Sequence, residues 1–143
     1  MKRVLIPVDG SACSLRAVEL MIAKRGFYSR PEELELHLVH VQPTLSSDVT
    51  QFVSHEQVDG FRHGETEKAL REARALLDRA GARYSIHEGV GHVAEVVTQL
   101  AQSLHCDQIT MGTHGRGALA DLLMGSTTMK VIHLAKVPVL LVK

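Results

Sequence analysis

The sequence predicts an α/β fold: a doubly wound, five-stranded parallel sheet with helices on both faces. Two observations carry this. Short apolar runs alternate with stretches of helical apolar spacing along the whole chain, the pattern of repeated β-α steps. The first run, Val4 to Val8, is almost unbroken, as expected of a strand covered on both faces rather than wet on one.

The elements follow in order. Val4 to Val8, closed by Asp9-Gly10, is a central first strand. Ser11 caps a helix whose apolar positions Leu15, Val18, Met21 and Ile22 have helical spacing, with Gly26 as its stop. A second strand spans Leu34 to Val41 and is closed by Pro43. Thr44 to Gly64 has mixed polarity and poor periodicity, and reads as a long, partly mobile connection. From Glu65, the positions Ala69, Leu70, Ala73, Leu76, Leu77 and Ala80 mark an amphipathic helix ended by Gly81. Tyr84 to Val90 is a third strand, and Val93, Val96, Val97, Leu100 and Leu104 form the apolar stripe of a third helix. A short strand, Gln108 to Met111, a helix over Ser126 to Ala135 and a strand over Val137 to Val142 complete five strands and four helices. Right-handed crossovers place helices on both faces of such a sheet, and ligands bind at the carboxyl ends of the strands where the winding reverses. Pro138 cannot donate to a sheet ladder, so the last strand belongs at an edge, and its apolar edge needs cover.

Composition narrows the function. The 143 residues suit one domain, 1–143, and 45% apolar with 22% charged residues is a globular balance. Sixteen basic side chains face sixteen acidic ones, so bulk charge points neither to nucleic acid nor to a membrane surface. The first apolar run stops at Asp9, too short for a signal-peptide core or a spanning helix. Cys13 and Cys106 lie far apart and form no CxxC pair, which suggests neither a disulfide framework nor a cysteine zinc site and makes a reducing cytoplasm the expected home.

The chemistry concentrates after the fourth strand. Met111-Gly112-Thr113-His114-Gly115-Arg116-Gly117 is followed by Gly125-Ser126-Thr127-Thr128 at the start of the last helix, a GxxG, nine-residue, GS spacing. A polyphosphate needs several backbone N–H groups at close range, and glycines permit that approach. A helix start adds unpaired N–H groups, the positive end of the helix dipole and hydroxyls. A glycine-rich turn with an ordinary serine cap explains the same residues without a ligand. The segment is neither a Walker loop, because no Gly-Lys-Ser or Gly-Lys-Thr occurs, nor the dinucleotide fingerprint, which follows a first strand.

The Val-Leu-Ile-Pro-Val-Asp-Gly-Ser start, the β-α alternation, the glycine segment and the Val-Pro-Val-Leu-Leu-Val ending together resemble the universal stress protein family over the whole length. The resemblance implies the Rossmann-like sheet of the adenine nucleotide alpha hydrolase group. The complete glycine pattern goes with the family's ATP-binding branch. It implies an adenine nucleotide, ATP or else AMP or ADP, with Mg²⁺ as a companion, bound by named residues. Pro7, Val8 and Asp9 would contact ribose and adenine, and Val41 would read adenine through its backbone. Met111 and Gly112 would line the ribose side, Gly115 and Arg116 would approach the phosphates with His114 beside them, and Gly125, Ser126 and Thr127 would hold them. It also implies a homodimer through the last strand, Val137 to Val142, and a role as a stress-response regulatory module. A slow ATPase and a nucleotide-free dimeric scaffold are the competing readings. Aspartate is also common where a strand turns into a helix, so Asp9 fits a turn role as well, and Arg116 fits an exposed loop charge.

Other constellations carry less. Of nine histidines, His37 and His40 fall on opposite faces of a strand and His87 and His92 straddle a turn, which argues against a metal site. His55 and His63 lie in the irregular connection. Lys130 reads as a solvent-facing helix residue, Cys13 as a small packed one, and no Ser-His-Asp or Cys-His arrangement is evident.

Overall fold

The structure is a computed structural model and describes residues 2–115 and 124–143. Five parallel strands, β1 (Arg3–Pro7), β2 (Glu35–Gln42), β3 (Tyr84–Val90), β4 (Gln108–Gly112) and β5 (Val139–Val142), form one sheet in the order β3-β2-β1-β4-β5. The sheet is flanked by α1 (Ala12–Lys24), α3 (His55–Arg79), α4 (Val93–Ser103) and α5 (Ser126–Leu134), with a single-turn helix α2 (Ser47–Thr50) between β2 and α3. This is the doubly wound α/β architecture that the apolar pattern predicts.

Alternation along β1 builds both halves of the core. Val4, Ile6 and Val8 face α1 and α3, packing with Val18, Met21, Leu70 and Leu77, all 0–2% exposed. Leu5 faces the other way, with Val39, Val97, Ile109 and Val131 under α4 and α5. Side chains alternate across a strand, so one apolar run feeds two layers. The helix faces follow from right-handed crossovers. The chain moves from β1 through β2 to β3 in one direction with α1 and α3 on one face, then crosses to β4 and β5 with α4 and α5 on the other.

Several local expectations hold. The Ser11 hydroxyl accepts the Ser14 N–H at the start of α1. Gly81, at φ +59°, closes α3 while Ala82 N–H reaches back to the Leu77 carbonyl. β5 lies at the sheet edge; regular pairing begins at Val139, although the Pro138 carbonyl already accepts the Ile109 N–H at 2.9 Å.

The connection expected over Thr44 to Gly64 is corrected. It contains α2 and the first turns of α3, which begins at His55 rather than Glu65. Ser54 and Gln57 form a reciprocal capping box there, the hydroxyl accepting the Gln57 N–H at 3.1 Å and the Gln57 side-chain oxygen accepting the Ser54 N–H at 2.9 Å. Gly60 and Gly64 lower helix propensity in these turns. Almost no apolar stripe is buried there to compensate, which is why periodicity missed them. α1 also ends slightly early, at Lys24, and passes through a 3₁₀ turn, Arg25–Phe27, instead of stopping at Gly26.

His37 and His40 do lie on opposite faces. The His37 ring meets His87 on β3, Nδ1 to Nε2 at 3.0 Å, and Glu35 lies 3.8 Å from His37 Nε2. Burial pushes both imidazoles below their ordinary value near 6.5; Glu35 opposes this at His37, and His37 adds to it at His87. A folded state that disfavours imidazolium loses stability as pH falls below the unfolded value, because the unfolded chain takes up protons first. Urea midpoints measured between pH 7.5 and 5.5 should therefore fall on acidification, and the slope should be shallower in His37→Leu/His87→Leu. An equal slope in that variant would contradict the assignment.

Candidate functional site

The chain order leaves a parting at the carboxyl end of β1. Its neighbours β2 and β4 are reached in opposite directions along the sheet, and β1 pairs with β4 in register only over Val4 and Leu5 but with β2 as far as Pro7. Beyond that point lies a cavity of about 430 Å³, within the range of small-molecule sites.

Its first wall is the turn after β1. Pro7, Val8 and Asp9 line the cavity, and Asp9 Oδ1 accepts the Ser11 N–H at 2.9 Å. The turn role considered for Asp9 is thus real, and it coexists with a place in the cavity wall. Gly10 follows at φ +81°, a conformation that L side chains rarely adopt.

The opposite wall is the glycine segment. Met111, Gly112, His114 and Gly115 line it from the end of β4, and Gly125, Ser126 and Thr127 from the start of α5. Gly125 is the N-cap of α5, with no side-chain cap. The N–H groups of the first turn, 126–128, have no partner within the helix, and all three residues line the cavity. An anion there would meet backbone donors, hydroxyls and the helix dipole together.

Thr113 binds this wall to the sheet. Its N–H donates to Val142 at the end of β5 (3.1 Å), and its carbonyl accepts from the Gly125 N–H (2.9 Å) and the Thr128 hydroxyl (3.2 Å). Its own hydroxyl lies 2.9 Å from His114 Nδ1. Beneath it, the Cys13 thiol donates to the Val142 carbonyl at 3.3 Å and sits 3.8 Å from the Thr113 hydroxyl. Burial raises this thiol, but hydrogen bonds from the His114 backbone and from Thr113 outweigh that and hold it below its ordinary value. Cys106, by contrast, is pushed up to about 11, chiefly by burial. Both cysteines are free and buried.

Eleven of the residues singled out in the sequence come together around this cavity: Pro7, Val8, Asp9, Val41, Met111, Gly112, His114, Gly115, Gly125, Ser126 and Thr127. Arg116 lies outside the described residues. Sequence reasoning missed Ser14, Val39, His40 and Val93 as lining residues and placed Thr128 only at the helix start. Ser14 lies one helical turn past the Ser11 cap, and His40 stands between two apolar neighbours at the strand end, which were the available signals. No group of three metal-ligating side chains suited to a metal occurs among the described residues, nor is any helix there long and apolar enough to cross a membrane.

Gly112 is the tightest point of the frame. A Cβ there would lie 2.7 Å from Cys13 Sγ and 2.9 Å from the Cys13 carbonyl carbon. Gly112→Ala should cost on the order of 1–3 kcal/mol of stability in urea denaturation, because overpacking forces backbone shifts. Adding Cys13→Ala should not restore it, since the backbone clash remains; full recovery in the double variant would place the constraint on the sulfur alone.

The chain matches the universal stress protein family over residues 1–143. A universal stress protein of Thermus aquaticus is 30% identical over 142 residues, covering 99% of this chain and 98% of its own. The structure of MJ0577 of Methanocaldococcus jannaschii, itself a universal stress protein, superposes with a TM-score of 0.81 at 27% identity, covering 99% of this chain and 95% of that one. A universal stress protein solved in complex with cAMP shares the fold with a TM-score of 0.72 at 24% identity, covering 99% and 97% of the two chains. With the glycine-lined cavity at the reversal of a five-stranded parallel sheet, these matches place the chain in the universal stress protein family.

Proposed function

We propose that this protein binds an adenine nucleotide, ATP foremost, in the cavity at the ends of β1 and β4, and acts as a stress-response regulatory module. The observation that carries this is the convergence of Asp9, the glycine segment and the uncapped start of α5 on one cavity. A protein of the same fold solved with cAMP supports the choice of ligand class.

In this reading Pro7, Val8 and Asp9 contact ribose and adenine, and Val41 reads adenine through its backbone. Met111 and Gly112 line the ribose side. Gly115 and His114 approach the phosphates from the end of β4, joined by Arg116, and Gly125, Ser126 and Thr127 hold them with backbone donors and hydroxyls. The donor set suits an anion without a lysine. Mg²⁺ accompanying ATP is held chiefly by the phosphates, as is usual for that ion. Occupancy shifts the population of conformations that partners recognise.

The assembly we propose is a homodimer through Val137 to Val142. β5 is a short apolar edge strand with all four residues partly exposed, and a second copy covers such an edge. The chain, 1–143, works as one domain in the cytoplasm.

Calorimetric titration of nucleotide-stripped protein with ATP tests the reading. A Cβ at Gly125 would lie 3.3 Å from the Thr113 carbonyl oxygen, so Gly125→Val crowds the start of α5. The wild type should bind, and the folded variant should bind at least about tenfold more weakly, the equivalent of one lost interaction of roughly 1.4 kcal/mol. A wild type that binds no nucleotide would favour the dimeric scaffold instead.

A further inference from the structure

The β1–β2 ladder ends in an unusual way. Val8 N–H donates to the Val39 carbonyl at 2.9 Å, so Val39 directs its backbone toward β1. Residue directions alternate along a strand, and Val41 therefore directs its backbone the same way, past the end of β1 and toward the cavity it lines. In a continuing parallel ladder, the Val41 N–H would donate to the Val8 carbonyl. Among the described backbone hydrogen bonds none joins these two residues. The Val8 carbonyl is instead met by the His40 side chain, whose Nδ1 lies 2.8 Å away. A carbonyl only accepts, so His40 carries its proton on Nδ1.

We infer that His40 is a positioning residue for the nucleotide, ending the β1–β2 ladder by donating Nδ1–H to the Val8 carbonyl and leaving the Val41 backbone for the base. The inference rests on the nucleotide reading above and extends it to a side chain that reading does not use. Two consequences follow from the geometry. Val8, 2% exposed, is held through both its N–H and its carbonyl, so the next residue, Asp9, leaves the strand from a fixed point. Asp9 Oδ1 then anchors the Ser11 N–H, and Oδ2 lies 3.0 Å from where a Cβ on Gly115 would stand. The His40 bond thus sets the spacing between the base end and the phosphate end of the cavity. A buried carbonyl deprived of its donor takes another, and the Val41 N–H, its partner in a continuing parallel ladder, would close the ladder over the base-binding position.

Two substitutions separate this role from simple ring contact. His40→Phe keeps an aromatic ring in the wall and removes the donor; His40→Asn removes the ring and restores an N–H near the Nδ1 position. Titrating AMP into nucleotide-stripped wild type and both variants, each checked for a cooperative thermal melt, should show affinity falling about tenfold in His40→Phe. His40→Asn should recover most of that loss. The opposite order, with the asparagine variant weak and the phenylalanine variant near wild type, would overturn the inference in favour of ring contact. Equal binding by all three would overturn it outright, whereas a wild type that binds neither AMP nor ATP would remove the nucleotide reading and this inference with it. Imidazole ¹⁵N spectra of the wild type near pH 8 provide a test independent of either variant's folding. His40 should be the Nδ1–H tautomer, and an Nε2–H tautomer would contradict the assignment.

Discussion

The constraint on which the rest depends is the reversal of winding at β1. Because β1 lies between β2 and β4, buried on both faces, it supplies both halves of the core and has no freedom to shift. Because its two neighbours are reached in opposite directions, the connections leaving their carboxyl ends diverge. The resulting gap is a consequence of chain order. Its lining is decided by the residues that end β1, β2 and β4, and the glycines are supplied by the end of β4 and the segment after it.

The floor of the site is continuous with the edge strand. Thr113 is bonded at once to Val142, Gly125 and Thr128, and Cys13 fills the space below Gly112 while reaching the same Val142 carbonyl. The glycine-containing wall and the last residues of β5 are therefore one hydrogen-bonded unit. A small residue is needed at 112 because α1 begins directly against it, and Ser14 of α1 lines the same cavity as Ser126, Thr127 and Thr128 of α5. Two helix N-termini then lie near the parting of the strands, a favourable setting for negative charge.

Much of this was legible in the sequence for identifiable reasons. Val4 to Val8 is uniformly apolar because it is buried twice over, and that made it readable as a central strand. The glycine segment was readable because close backbone approach leaves a compositional trace. What escaped notice has physical causes too. The first turns of α3 bury almost no stripe and contain Gly60 and Gly64, so their helix is announced only by the Ser54–Gln57 capping box. His40 escaped because its partner, the Val8 carbonyl, lies at the end of the neighbouring strand 32 residues away, and Ser14, Val39 and Val93 enter the cavity through tertiary placement that spacing does not encode. The contact between His37 and His87 depended on the β2–β3 register, which sequence pattern left open.

In the proposed function, backbone groups at the parting of β1 and β4, together with the start of α5, receive an adenine nucleotide. Amide ¹H–¹⁵N spectra recorded during addition of ATP test it residue by residue. The largest shifts should fall on Asp9 and Gly10, on Gly112 to Gly115, and on Gly125 to Thr127, saturating together along one binding curve. Unchanged spectra, or shifts centred away from these three segments, would contradict it.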